Sequence, residues 1–254
     1  MAMNFAKTVK SAFRGLVPET ILESRRRRMR QREHRRNADR STQEIFEEIY
    51  AEGKWGGLSL DEGSGSGSDD RVTQSYIDLV NAYLQDHPEI HRIVDIGCGD
   101  FRVARNFELG EGQTYIGTDI VAPLVKLNQE RYGNNRISFV QLDAVTDVIP
   151  EADLYLVRQV LQHLSNDDAL CVVEKVRVGR YALITEHHSA PDRLIARNLD
   201  KPTGPDVRCY DGSGIYLDHE PFKVPDVEIV LRARPSHGLV SEDEILTTYL
   251  VRNW

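Results

Sequence analysis

Ile93-Val94-Asp95-Ile96-Gly97-Cys98-Gly99-Asp100 is the stretch whose reading decides the fold. An apolar run ends in an acid, two glycines follow with one residue between them, and a second acid closes the group. Glycine has no Cβ, so it turns sharply and lets the backbone approach a ligand closely. A strand feeding such a turn, with a helix after it, is the usual opening of a nucleotide-type site in a parallel α/β sheet. A dinucleotide fingerprint needs a third glycine three residues after the second, and Arg102 stands there. Asp95 and Asp100 would also repel a pyrophosphate. Two acids suit a ligand with positive charge and with hydroxyl and amine donors.

Working outward, Tyr115-Ile116-Gly117-Thr118-Asp119 reads as a second strand ending in an acid, and Ile137–Leu142 as a third ending at Asp143. A strand-end carboxylate accepts two hydrogen bonds from ribose hydroxyls, or one from an adenine amino group. Ala152–Val157 reads as a fourth strand, followed by Arg158-Gln159-Val160-Leu161-Gln162-His163-Leu164. A ligand with a sulfonium, an α-amine and ribose hydroxyls, S-adenosylmethionine, meets all these groups. The order and spacing of Asp-Ile-Gly-Cys-Gly-Asp, Asp119, Asp143 and Val-x-x-His-Leu resemble the class I S-adenosylmethionine-dependent methyltransferases, over roughly residues 90 to 190. The resemblance implies an α/β fold: a Rossmann-like, mostly parallel seven-stranded sheet with helices on both faces. It also implies that Asp95, Gly97, Cys98 and Gly99 line the methionine part, that Asp119 with Ile120 holds the ribose, and that Leu142, Asp143 and Ala144 hold the adenine. Cys98 itself reads as packing rather than catalysis.

Upstream, Ser41-Thr42-Gln43-Glu44 has the spacing of a helix capping box, and Ile45, Phe46, Ile49 and Tyr50 form one apolar helical face. Lys54-Trp55-Gly56-Gly57 and Ser64-Gly65-Ser66-Gly67-Ser68 follow. Alone, the Gly/Ser run reads as a linker. With Ile-Tyr-x-x-x-x-Trp-Gly before it, it resembles the lead-in of a bacterial subset of class I methyltransferases often found in polysaccharide and secondary-metabolite pathways. That resemblance implies a lid over the cofactor, with Trp55, Gly56, Ser64 and Gly65 in contact, and a helix from Val72 to His87 leading into the first strand. A lid has a physical motive, because methyl transfer gains when water is kept from the sulfonium.

Downstream, Ser165 caps a helix over 169–176, and Arg180–Thr185 reads as a fifth strand ending at Glu186-His187-His188. Groups at the carboxyl ends of parallel strands face the ligand crevice. His163 and His187 are therefore candidate general bases, with Glu186 orienting a histidine or acting itself. Arg158 reads as a cofactor-side cation or the holder of the lid. His188, Asn198 and Arg208 are candidate acceptor-binding residues, the last two in an insertion near 191–225 that looks loosely like the acceptor loop of the same subset. Two antiparallel strands, 227–232 and 245–251, close the sheet. Asp167 and Asp168 read as cap residues, and adjacent His187 and His188 point to opposite strand faces. No metal is expected.

Composition bounds the rest. The chain has 254 residues, 40% of them hydrophobic, and a net charge of −8. Residues 1–40 hold 12 Lys and Arg against 4 Asp and Glu, so a +8 arm precedes a remainder at −16. Its Phe5, Val9, Phe13 and Leu16 recur at helical spacing, and Arg25–Arg28, Arg30, Arg32, Arg35 and Arg36 follow. A solvated helix with no partner, or one pairing with the acidic domain, is the first reading of such an arm; contact with an anionic membrane surface comes next, ahead of nucleic acid or a transit peptide. Aromatic residues do not interleave the arginines, which disfavours single-stranded nucleic acid. Three widely spaced cysteines and no ~20-residue apolar run fit a cytoplasmic protein, peripheral at most to the inner membrane face. The organisation expected is a basic arm (1–40), a helical cap and lid (41–88), and a cofactor-binding core (89–254). The function expected is methyl transfer from S-adenosylmethionine to an oxygen of a small-molecule or glycan acceptor. An NAD(P)-dependent oxidoreductase and a non-catalytic, arm-tethered cofactor-binding protein stay open beside it.

Overall fold

The computed structural model describes residues 28, 31–32, 35–37, 39–55, 70–234 and 244–252. Residues 1–40 form one unit and residues 41–254 another. Of the basic arm, Arg28, Arg32, Arg35 and Arg36 are described, each exposed on helical backbone. Arg25, Arg26, Arg27 and Arg30 lie outside the described residues, as do Gly56, Ser64 and Gly65 of the expected lid.

Helix α1 (Thr42–Ala51) starts at a reciprocal cap. The Glu44 amide donates to Ser41 Oγ at 3.3 Å, and the Ser41 amide donates to Glu44 Oε2 at 2.9 Å. Two first-turn donors are thereby satisfied. Helix α2 (Asp70–Asp86) leads into β1 (Arg92–Ile96). Then come β2 (Thr114–Asp119), α3 (Ala122–Tyr132), β3 (Ile137–Gln141), β4 (Leu154–Arg158), α4 (Asn166–Val176), β5 (Tyr181–Ser189), β6 (Glu228–Ala233) and β7 (Glu244–Arg252). The seven strands lie in the order β3-β2-β1-β4-β5-β7-β6. β1 to β5 pair in parallel, and β7 pairs antiparallel with both β5 and β6. This is the expected seven-stranded, mostly parallel, Rossmann-like sheet.

Side-chain alternation divides the core. Leu154 and Leu156 face Tyr76, Val80 and Leu84 of α2, while Tyr155 and Val157 face Ala169, Val172 and Val173 of α4. Both faces of the central strands are covered, so these strands read as continuous apolar runs. Chain order reverses at β1, which has β2 on one side and β4 on the other, and that reversal opens a crevice at the strands' carboxyl ends.

Two local expectations are corrected. No α-helix follows the glycine turn: between residues 97 and 113, all described, the chain forms turns and one short 3-10 helix, Ala104–Asn106. Phe101 sits at φ 61°, which interrupts any helix starting there, and Gly110 and Gly112 shorten what could follow. The fifth strand does not stop at Thr185 with Glu186-His187-His188 at its mouth either. It continues through Glu186, His187 and His188 to Ser189, because β7 pairs with it along its whole length, from Tyr181↔Arg252 to Ser189↔Glu244.

Candidate active site

A cleft of about 420 Å³ opens at the carboxyl ends of β1, β2 and β4. Gly97 and Gly99 form its floor at φ 70° and 57°. A Cβ on Gly97 would lie 2.5 Å from Val160 Cγ2, so the β1 turn and the β4 loop approach each other only because this residue has none. The turn is held from both sides. The Gly99 amide donates to Asp119 Oδ2 at 3.0 Å, and Asn128 Nδ2 donates to the Gly99 carbonyl at 2.7 Å.

Asp95, Asp119 and Asp143 all line the cleft, one at the end of each of three strands. Asp95 accepts from the Tyr115 hydroxyl at 2.7 Å. Burial raises its pKa to about 7, against the lowering effect of that bond and of Arg158. Asp119 accepts from Gly99 and, through Oδ1, from the Val121 amide at 3.0 Å; burial raises it to about 6. Each oxygen keeps a second lone pair for a ligand hydroxyl. Asp143 accepts from the Val145 amide at 2.9 Å. Ile120, Leu142, Ala144 and Val145 make an apolar wall beside it. Cys98 lines the cleft as a thiol whose pKa burial drives well up, and its Sγ fills the space over Gly117.

The opposite wall comes from β4, β5, β7, α1 and the insertion. Arg158 stands over the Tyr76 ring at 5.3 Å and feels Asp95 and Glu186. Trp55 packs on the His163 ring at 4.8 Å between centroids, and its Nε1 donates to the Pro205 carbonyl at 3.3 Å. Phe46 meets the His163 ring edge-on at 6.4 Å and the Trp55 ring at 5.9 Å, so the three rings form one cluster. His187 points into the cleft with its Nδ1 3.7 Å from Glu244 Oε2. Burial pushes both imidazoles down to about 3, with Lys201 adding to the effect on His163 and Arg158 on His187. Both rings are therefore neutral at neutral pH.

Four candidates do not face this cleft. Glu186 is 0% exposed, and its two oxygens accept from the Leu161 and Gln162 amides at 2.8 and 3.1 Å. It staples the loop that presents His163. Arg208 is buried and donates to the carbonyls of Leu164, at 2.6 Å, and Leu199. Asn198 ties the insertion to itself, donating to the Tyr216 and Glu220 carbonyls and accepting from the Tyr216 amide. His188, on the other face of β5, stacks on Tyr216 at 4.0 Å and bonds the Ile215 carbonyl at 2.6 Å. The insertion reaches the cleft instead through Pro205, Val207 and Tyr210.

Glu244, Tyr76, Gln159 and Gln162 line the cleft without having been expected there. Glu244 lies far along the chain and reaches His187 only through β5–β7 pairing, which no local pattern shows. Phe46 and Tyr50 were visible as an apolar helical face, but that pattern does not tell a cleft wall from a core. Among the described residues, no group of three or more His, Cys, Asp or Glu could hold a metal ion. No helix among them is long and apolar enough to cross a membrane.

Residues 94–181 match a family described as a methyltransferase domain. No curated protein matches the chain. Solved structures share its fold at low identity. PigF, solved with S-adenosylhomocysteine, aligns with a TM-score of 0.55 and 16% identity over 89% of this chain and 68% of its own. Human N-acetylserotonin methyltransferase, solved with S-adenosylmethionine, aligns at 0.53 and 18% over 82% of this chain; the chain spans 59% of that protein's length. The N-methyltransferase NodS of Bradyrhizobium japonicum WM9, solved with S-adenosylhomocysteine, aligns at 0.52 and 13% over 80% of this chain and 97% of its own.

Proposed function

We propose, on the premise that this chain has a class I S-adenosylmethionine-dependent methyltransferase domain, that it transfers a methyl group to a hydroxyl oxygen of a small-molecule or glycan acceptor. The observation that supports this reading best is the row of three strand-end carboxylates above a two-glycine floor, opposite a wall with two neutral imidazoles. The residues fit the cofactor. Asp95 and Arg158, which both line the cleft and influence each other electrostatically, would hold an ammonium and a carboxylate. Asp119 offers two oxygens to ribose hydroxyls. Asp143 lies beside an apolar slot for a purine.

When bound, S-adenosylmethionine supplies a methyl group already activated on a sulfonium, so the protein's main contribution is alignment and exclusion of water. Trp55, latched to His163 and the Pro205 carbonyl, covers the cleft on its α1 side. His187 takes the proton of the acceptor hydroxyl at Nε2; burial and Arg158 make it a weak base, so this step depends on Glu244, 3.7 Å from Nδ1, to stabilise the imidazolium that forms. His163, clustered with Phe46 and Trp55, positions the cover. His187→Ala is then expected to lower kcat by about 10²–10⁴-fold while the affinity for S-adenosylhomocysteine is unchanged. Turnover equal to wild type, read as S-adenosylhomocysteine release, would remove His187 from the mechanism.

Cofactor binding has a predicted pH signature. Asp95 is half protonated near pH 7 before binding, and an ammonium partner needs it ionised. Below that pH, binding expels a proton; above it, none is released. Affinity for S-adenosylhomocysteine should therefore rise with pH, by up to about a decade per unit between pH 6 and 7 and more steeply below 6, where Asp119 protonates too, and level off above pH 7. Calorimetry in two buffers of different ionisation enthalpy reads the proton directly. An affinity that stays flat from pH 5.5 to 8 contradicts the assignment of Asp95 to the ammonium.

A further inference from the structure

The cleft wall across from the carboxylates holds buried polar atoms that have no partner. Gln162 is 3% exposed, and its Oε1 has none. Gln159 Nε2 has none, nor has His163 Nδ1, nor His187 Nε2. All four residues line the same cleft. Native proteins rarely leave buried donors and acceptors unpaired, because each costs about 1–3 kcal/mol. Four on one wall mark the place where a ligand completes the bonding.

The backbone adds a second observation. Gln159 sits at φ 58°, an unfavourable region for a residue with a Cβ. Its amide donates to the Thr185 carbonyl at 2.8 Å, which holds the peptide in place from β5. Strain of this kind persists where the surroundings enforce it, and it concentrates at functional sites. Beside it, the Gln162 amide group bonds the Gln159 carbonyl at 3.4 Å and approaches His163 Nε2 at 3.3 Å. The two glutamines and two imidazoles thus form one mixed row of neutral donors and acceptors.

We infer that Gln159 and Gln162 recognise the acceptor, and that the acceptor is an uncharged molecule bearing neighbouring hydroxyl groups. A hydroxyl both donates and accepts, so adjacent hydroxyls match Gln159 Nε2, Gln162 Oε1 and the two imidazoles at once. One hydroxyl sits at His187 and takes the methyl; its neighbours pair with the glutamines. An amide and a neutral imidazole give an anion no charge partner, and a site built around neutral hydrogen bonds rejects an analogue that leaves them unpaired. Phe46, Tyr50 and Trp55 give the row an aromatic side suited to the flat face of a ring. The inference rests on the methyltransferase reading of the same cleft.

The test uses the full chain saturated with S-adenosylhomocysteine and saturation-transfer NMR with five probes: methyl α-glucoside, catechol, glucuronate, phenol and cyclohexanol. Failure to bind S-adenosylhomocysteine at all counts against the methyltransferase reading and is detected first. Given that binding, methyl α-glucoside, catechol or both should saturate at least several-fold more strongly than the single-hydroxyl probes and glucuronate, and which of the two does so tells a sugar ring from an aromatic diol. The double variant Gln159→Ala/Gln162→Ala should lose at least about tenfold of that binding. Its thermal midpoint should fall only slightly, because the change removes unpaired polar atoms together with only the long Gln162 contacts at 3.4 and 3.3 Å. Binding of glucuronate or of single-hydroxyl probes as strong as that of the diols, absence of diol binding, or a double variant that binds as wild type does would each overturn the inference. A large fall in midpoint with diol binding retained would assign the glutamines a structural role instead.

Discussion

Replacing Asp119 with alanine is expected to weaken S-adenosylhomocysteine binding by about 100-fold or more, equivalent to roughly 3 kcal/mol. Two losses combine. The ribose loses its acceptor, and the Gly99 and Val121 amides, now paired to Oδ2 and Oδ1 at 3.0 Å each, lose theirs. Gly99 is part of the floor itself, so the floor loosens at the moment its ligand contact disappears. Asp119→Asn is instructive because it keeps the size and one oxygen. Its amide nitrogen must face either Gly99 N–H or Val121 N–H, donor against donor, so most of the loss should persist. Affinities for both variants come from calorimetry, with circular dichroism confirming the fold. Asp119→Ala binding within threefold of wild type would mean the ribose is held elsewhere.

The second large effect is expected at Arg208. The sequence suggests an acceptor-binding cation there, whereas the structure buries it to 2% exposure and spends its guanidinium on the Leu164 and Leu199 carbonyls. Arg208→Ala removes both donors, leaves a void, and takes away a positive charge that, after the Leu161 and Gln162 amides, opposes the effect of burial on Glu186. Unfolding free energy should fall by about 3–5 kcal/mol. Acceptor KM is not the quantity that moves first. Denaturant unfolding of the variant, alongside its S-adenosylhomocysteine affinity below the transition, separates the two accounts. Unchanged stability with a raised acceptor KM would return Arg208 to the acceptor site.

These two residues also show what was legible in the sequence. Asp119 could be read because a strand-end acid after a glycine turn is a local pattern, and parallel-sheet topology turns it into a position. The same logic placed Asp95 and Asp143 at the ends of their strands. Arg208, Asn198 and His188 were misplaced because a polar residue in a loop-rich insertion has the same sequence signature whether it contacts a ligand or the backbone. Only the hydrogen bonds to Leu164, Tyr216 and Ile215 tell them apart. Glu186 and His187 are neighbours, and strand alternation gives one to the loop and the other to the cleft. Which is which follows from the pairing of β5 with β4, which puts Glu186 on the face of Ala182 and Ile184 and His187 on that of Tyr181 and Leu183. The helix expected after the glycine turn fails for a local reason, since Phe101 at φ 61° and the short span to β2 leave room for one 3-10 turn.

Isothermal titration of the full chain with S-adenosylhomocysteine and, separately, with NAD tests the central claim most directly. The carboxylate row and the missing third glycine predict one-to-one binding of S-adenosylhomocysteine and none of NAD. Binding of NAD with no heat from S-adenosylhomocysteine would contradict the account.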